Sequence, residues 1–123
     1  MLKELRVVLV DDSPLIQDYI KRALQSIKGC EVVDVAGDGD EGLLKIRMLH
    51  PHVVLLDVSM PVKNGLDVLR ELREENSEVV IIMFTADSTP CLEQACLSAG
   101  ANYFVPKSDF RQLAKIFAEL QGV

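Results

Sequence analysis

Cysteine is scarce and poorly spaced for its usual structural tasks. Cys30, Cys91 and Cys96 are odd in number and lack C-x-x-C spacing, which argues against a disulfide framework and against a zinc site. They read as reduced thiols, small and buried or half-buried. Long hydrophobic runs are also missing. Lys3, Glu4 and Arg6 charge the N-terminus, and no uncharged stretch approaches the roughly eighteen residues of a membrane span. A cytoplasmic location with no membrane partner is the default expectation. Positive charge is short: 13 Lys plus Arg face 19 Asp plus Glu, for a formal net charge of −6. With no basic run to neutralise several phosphates, nucleic-acid binding by this chain is disfavoured. No repeat, linker or low-complexity segment intervenes, and 123 residues with 49% apolar content suit a single domain over residues 1–123.

What the chain does have is alternation. Apolar runs at Leu5 to Val10, Glu31 to Ala36, His52 to Asp57, Glu78 to Phe84 and Ala101 to Val105 read as strands. Between and after them lie five helical stripes. The first is capped by Ser13 or Asp12, has Pro14 in its first turn and stops before Gly29. The second follows the Gly-Asp-Gly-Asp turn at 37–40 and closes at His50-Pro51. A third carries Leu66 to Leu72, a fourth of about ten residues ends at Gly100, and a last carries Phe110 to Leu120. The polar second strand, with Glu31 and Asp34, is expected at a sheet edge. Strands alternating with helices in this way predict βαβ units, right-handed crossovers and a parallel sheet covered on both faces.

Three acidic side chains stand where apolar runs stop: Asp11 and Asp12 after the first, Asp57 after the third. In an open α/β sheet the carboxyl ends of the strands share one edge, where ligands bind. Carboxylates gathered there repel unless one is protonated or a cation enters. Oxygen ligands without histidine or cysteine suit a hard cation such as magnesium, with manganese able to substitute. Asp12 and Asp57 are the candidate ligands, with Asp11 in support. Asp57, alone on a central strand, is also the candidate nucleophile toward a phosphoryl group, since carboxylates can form acyl phosphates. Thr85 after the fourth strand and Lys107 after the fifth would stabilise the phosphoryl oxygens. In the resting protein Lys107 is expected to pair with Asp57 and hold its pKa down.

With Val10-Asp11-Asp12-Ser13, Asp57-Val58-Ser59-Met60-Pro61 and Gly65, Phe84-Thr85-Ala86, and Gly100-Ala101 with Tyr103-Phe104 and Lys107, the chain resembles a response-regulator receiver domain of two-component signalling. The likeness is to the chemotaxis-regulator type and covers essentially the whole length. It implies a flavodoxin-like, doubly wound (βα)5 fold whose five-stranded parallel sheet runs in the order 2-1-3-4-5. It implies that Asp57 accepts a phosphoryl group from a phosphohistidine on a sensor histidine kinase or phosphotransfer protein. Magnesium would be held by Asp12, Asp57 and the Ser59 backbone carbonyl, with Asp11 behind them. The domain would catalyse only its own phosphorylation and dephosphorylation.

The resemblance further implies a switch in which the Thr85 hydroxyl moves toward the phosphoryl group and Phe104 turns inward. Phe104 also reads as a plain core side chain, and Tyr103 should face the other way. The responding surface would be the fourth helix, fifth strand and fifth helix, about residues 90–121, docking a downstream protein as a monomer or a phosphorylation-dependent dimer. The resemblance also implies that Ser59 and Asp87, each two residues beyond a key site residue, tune acyl-phosphate lifetime, although Asp87 reads equally as a solvated turn residue. Ser108 stands where many receivers have proline after the lysine, so the Lys107-Ser108 bond is expected to be trans.

Met1 stands close before the first strand and nothing basic follows the last helix, so a standalone receiver is the leading reading. The alternative is a receiver excised from a larger DNA-binding regulator. A haloacid-dehalogenase-type hydrolase would need a second acid two residues after its nucleophile, where this chain has Ser59. An inactive scaffold is disfavoured because all five site residues are present. A flavodoxin-like redox protein would need a phosphate-cradling loop after the first strand, which is missing.

Overall fold

The computed structural model describes residues 3–122; Met1 and Val123, the ends of the expected domain, lie outside the described residues. The elements are β1 (Leu5–Val10), α1 (Pro14–Gln25), β2 (Cys30–Ala36), α2 (Gly39–Leu49), β3 (Val53–Leu56), α3 (Gly65–Glu74), β4 (Val80–Thr85), α4 (Pro90–Ser98), β5 (Tyr103–Pro106) and α5 (Phe110–Leu120). The strands form one parallel sheet in the order β2-β1-β3-β4-β5. The fold class, the strand order and the edge position of the polar β2 all match the sequence-based expectation.

Because side chains alternate across a strand, the sheet divides its apolar residues between two cores. Val8, Val10, Val54, Leu56, Ile81, Met83 and Phe104 point to the side covered by α2, α3 and α4. Val7, Leu9, Val53, Leu55, Ile82, Phe84 and Val105 point to the side covered by α1 and α5. Tyr103 packs with the second core and Phe104 lies in the first, the opposite facing that strand geometry requires. Of the cysteines, Cys96 is buried and Cys30 half-buried, but Cys91 is exposed, because it falls in the outward-facing first turn of α4. Each helix begins at a polar side chain that accepts a backbone N–H of its first turn: Ser13, Asp38, Asn64, Thr89 and Asp109. Such caps satisfy donors that a helix start leaves open, typically worth about 1 kcal/mol each.

Three strands start later than their apolar runs do, β3 by one residue at Val53 and two others by two. β4 begins at Val80 rather than Glu78, and β5 at Tyr103 rather than Ala101. The Arg73 guanidinium intervenes, donating to the Val79, Ser77 and Gly100 carbonyls and to Asn102 Oδ1 at 2.8–3.0 Å. Asn102 Oδ1 also accepts the Ile81 N–H at 2.8 Å, so a side chain does there what a strand backbone would do. At the same edge, buried Gln121 donates from Nε2 to the Lys28 carbonyl at 2.6 Å and its own carbonyl accepts the Lys3 N–H at 3.4 Å. No peptide bond among the described residues is cis, so Lys107-Ser108 is trans as expected. No helix among the described residues is long and apolar enough to cross a membrane.

Candidate functional site

The carboxyl ends of β1, β3, β4 and β5 deliver the predicted residues to one edge. Backbone pairing continues one residue past the strands: the Asp11 N–H donates to the Ala36 carbonyl, the Asp57 N–H to the Val10 carbonyl and the Lys107 N–H to the Thr85 carbonyl, each at 2.9 Å. These bonds fix the Cα positions of the acids and the lysine before their side chains interact. Asp11 and Asp57 are buried, at 1% and 5% exposure, whereas Asp12 faces solvent.

Lys107 Nζ lies 3.0 Å from Asp57 Oδ2 and 2.6 Å from Asp11 Oδ2. The contact to Asp57 is a hydrogen bond, while buried Asp11 Oδ2 has the Lys107 ammonium as an ion-pair partner and no other donor. Asp11 Oδ1 accepts the Ser13 N–H at 2.9 Å and Asp57 Oδ1 the Ser59 N–H at 3.3 Å. Lysine pairing does not hold the Asp57 pKa down as expected. Burial raises it, Asp11 adds to the rise, and the hydrogen bond and charge of Lys107 recover only part. Burial pulls the Lys107 pKa down, but its two acidic partners outweigh this and leave it above its ordinary value.

Asp11, Asp12 and Asp57 each offer an oxygen, and the three oxygens lie within 4.8 Å of one another. One ammonium against three carboxylates leaves two negative charges, the charge of one divalent cation. With two charges uncompensated, oxygens from three carboxylates gathered together and no sulfur or imidazole in the group, the residues fit a hard divalent cation.

Thr85 is buried, and its Oγ1 accepts the Asp87 N–H at 3.3 Å. Ser59, Thr85 and Asp87 line one groove together with Val58, Asn64, Leu66 and Leu92, beside the acids. The tuning candidates and the threonine therefore share a surface. Phe104 stands apart from it, already packed in the core on β5 opposite Met83.

Two contributors, Gln17 and Lys63, escape sequence reasoning, and the motif glycine Gly65 gains its physical reason from the structure. The Gln17 side-chain amide donates to the Asp11 carbonyl at 2.6 Å and so steadies the end of β1. Gly65 is required by contact: a Cβ there would lie 2.0 Å from the Asp57 carbonyl oxygen. Lys63 pairs with Asp40 and Glu71 on two different helices. Gln17 and Lys63 look like ordinary solvated residues in the sequence; only the glycine, within its Met-Pro segment, carries a signal.

The five-stranded parallel sheet, with an acid cluster and a lysine at one strand edge, makes this an α/β domain whose strand-edge site fits a divalent cation. The response regulator receiver domain model matches residues 7–118, and the chain belongs to that family. It is 39% identical over 105 residues, 85% of this chain, to a probable C4-dicarboxylate response regulator, DctR, of Bacillus subtilis. It is 38% identical over 84% of its length to the response regulator GacA of Pseudomonas protegens. The chain spans 46% and 48% of those two curated relatives. Among solved structures, the response regulator domain of Thermotoga maritima CheB superposes with a TM-score of 0.87 at 27% identity, covering 98% of both chains. A chain of the CheX-CheY-BeF3-Mg2+ complex from Borrelia burgdorferi gives 0.84 at 26% identity, covering 94% of this chain and 90% of that one.

Proposed function

We propose that residues 1–123 form a phosphoacceptor receiver in which Asp57 takes a phosphoryl group from a phosphohistidine on a histidine kinase or phosphotransfer protein. The carrying observation is the pairing of buried Asp57 with Lys107 inside the acid cluster. An Asp57 carboxylate oxygen forms the new P–O bond as the P–N bond to the donor imidazole breaks, and the bonding pair returns to that ring. Lys107 is then placed to follow the transferring oxygens, and the Thr85 hydroxyl to close on them from the adjoining groove. Asp12, Asp57 and the Ser59 carbonyl, with Asp11 behind, would hold Mg2+. When bound, the ion supplies neutralisation of carboxylate and phosphoryl charge. Similarity to a chain solved in a complex with Mg2+ supports that choice.

Thr85 and Phe104 form the proposed switch. Phe104 is buried, and in this reading the phosphoryl contacts shift a population toward that inward packing. The surface of α4, β5 and α5 then docks the downstream protein. On the donor side, Leu15 and Tyr19 of α1 are exposed, at 78% and 53%, and Tyr19 meets Phe110 edge-on. They offer apolar contact next to the site. Ser59 and Asp87 line the groove beside Thr85, and in this reading they tune hydrolysis of the acyl phosphate.

Intact mass after incubation with acetyl phosphate tests the reading. A gain of one phosphoryl group that requires magnesium and is lost in Asp57→Asn is expected. No gain under any condition would leave a receiver fold acting only as a scaffold.

A further inference from the structure

The connection between β3 and α3 is strained at its centre. Val62 has φ +69°, a left-handed value that β-branched residues disfavour. The Lys63 N–H donates back to the Pro61 carbonyl at 2.8 Å, closing a γ-turn of the rare positive-φ kind. The Val62 side chain is 78% exposed, so its own packing does not hold it there. Strained backbone persists only where its surroundings over-determine it.

Those surroundings converge on Lys63. Its carbonyl lies flat on the first turn of α2, so close that a Cβ on Gly39 would come within 2.2 Å. Its ammonium reaches Asp40 on α2 at 3.5 Å and makes a closer contact with Glu71 on α3. On the site side, the loop is sealed by the Gly65 N–H donating to the Val58 carbonyl at 2.8 Å, and by the Ser59 N–H on Asp57 Oδ1.

We infer that Lys63 is a positioning residue for the carboxylate site: its two ion pairs hold the strained β3–α3 loop on α2 and α3 and thereby hold Ser59 beside Asp57. This rests on the receiver reading, in which the Ser59 carbonyl is a metal ligand. A carbonyl ligand is only as well placed as its loop, and magnesium tolerates little departure from octahedral geometry. Exposed ion pairs add little to global stability, so the effect is local.

The test is calorimetric titration with magnesium chloride, combined with amide exchange of residues 58–65 in metal-free protein. The proteins are wild type, Lys63→Met, Lys63→Arg, the anchor variant Asp40→Asn with Glu71→Gln, and Asp57→Asn as the non-binding control. Lys63→Met and the anchor variant should raise the magnesium Kd about two- to fivefold, the range open to exposed ion pairs. Both should speed exchange in 58–65, while Lys63→Arg stays near wild type. Unchanged affinity in Lys63→Met overturns the inference, even if the loop exchanges faster. If wild type itself takes up no magnesium, the receiver metal site is what fails, and exchange alone judges Lys63: faster exchange keeps its hold on the loop, unchanged exchange overturns it.

Discussion

Lys107 and Asp57, fifty residues apart in the chain, meet at 3.0 Å between Nζ and Oδ2. The same ammonium is shared with Asp11, so one cation serves two buried acids on β1 and β3. The arrangement suits a bound cation better than it suits the bare protein, which carries the unbalanced charge as lost stability.

Replacing Asp57 by its neutral isostere should therefore stabilise the metal-free protein. Asp57→Asn is expected to raise the melting temperature, each kcal/mol moving a domain of this size by roughly 3–6 °C. Magnesium should stabilise the wild type more than the variant. Equal melting temperatures with and without magnesium in both proteins would remove the metal site from the proposal.

The pH dependence follows from the direction of the Asp57 shift. Its folded pKa lies above the unfolded value of about 3.9, so ionisation disfavours the fold. That penalty is full above the folded pKa, shrinks as pH falls through it and vanishes below the unfolded value. The stability gap between Asp57→Asn and metal-free wild type should accordingly be widest near neutrality and narrow on acidification. Lys107, raised by its two acids, contributes in the opposite sense. Its stabilisation is complete below about pH 10 and is lost as pH rises through the folded pKa. Paired melts of wild type and Lys107→Met across the alkaline range would reveal it.

Gly65→Ala should destabilise and displace the site together. The added Cβ would meet the Asp57 carbonyl oxygen at 2.0 Å and the Val58 Cα at 3.0 Å. Both are backbone atoms, so no side chain can swing aside, and about 1–3 kcal/mol should be lost. Urea unfolding with an unchanged m-value but a lower midpoint is the expected result.

Arg73→Met should cost about 2–3 kcal/mol, because three carbonyls lose the Arg73 donor at once and Asn102 Oδ1 is left with the Ile81 N–H alone. Arg73→Lys should rescue little of it, since a point ammonium cannot span acceptors arranged around a planar fork. Hydrogen exchange at the Ile81 and Asn102 amides would localise the loss.

The sequence made the strand ends legible because two signals survive without coordinates: continuous apolar runs, and acids or a lysine immediately after them. Asp11, Asp12, Asp57 and Lys107 stand out that way, Thr85 is the polar residue that stops the fourth run, and alternation sends Tyr103 and Phe104 to opposite cores. The strand order came from the family resemblance rather than from the pattern itself. Arg73, Gln17 and Lys63 were invisible because their partners are backbone carbonyls or acids on other helices, set by side-chain reach and not by spacing. The direction of the Asp57 pKa was misjudged for a related reason. Pairing can be inferred from residue types, but the depth of burial that outweighs it depends on how Gly65 and the β3–α3 loop close over the strand end.

Gln121 also has a mechanical consequence. By tying α5 to Lys28 and to Lys3, it gathers both termini of the described chain at the edge of the sheet opposite Asp57. Tethers or fluorophores attached there would pull on the molecule from the edge of the sheet far from the carboxylates.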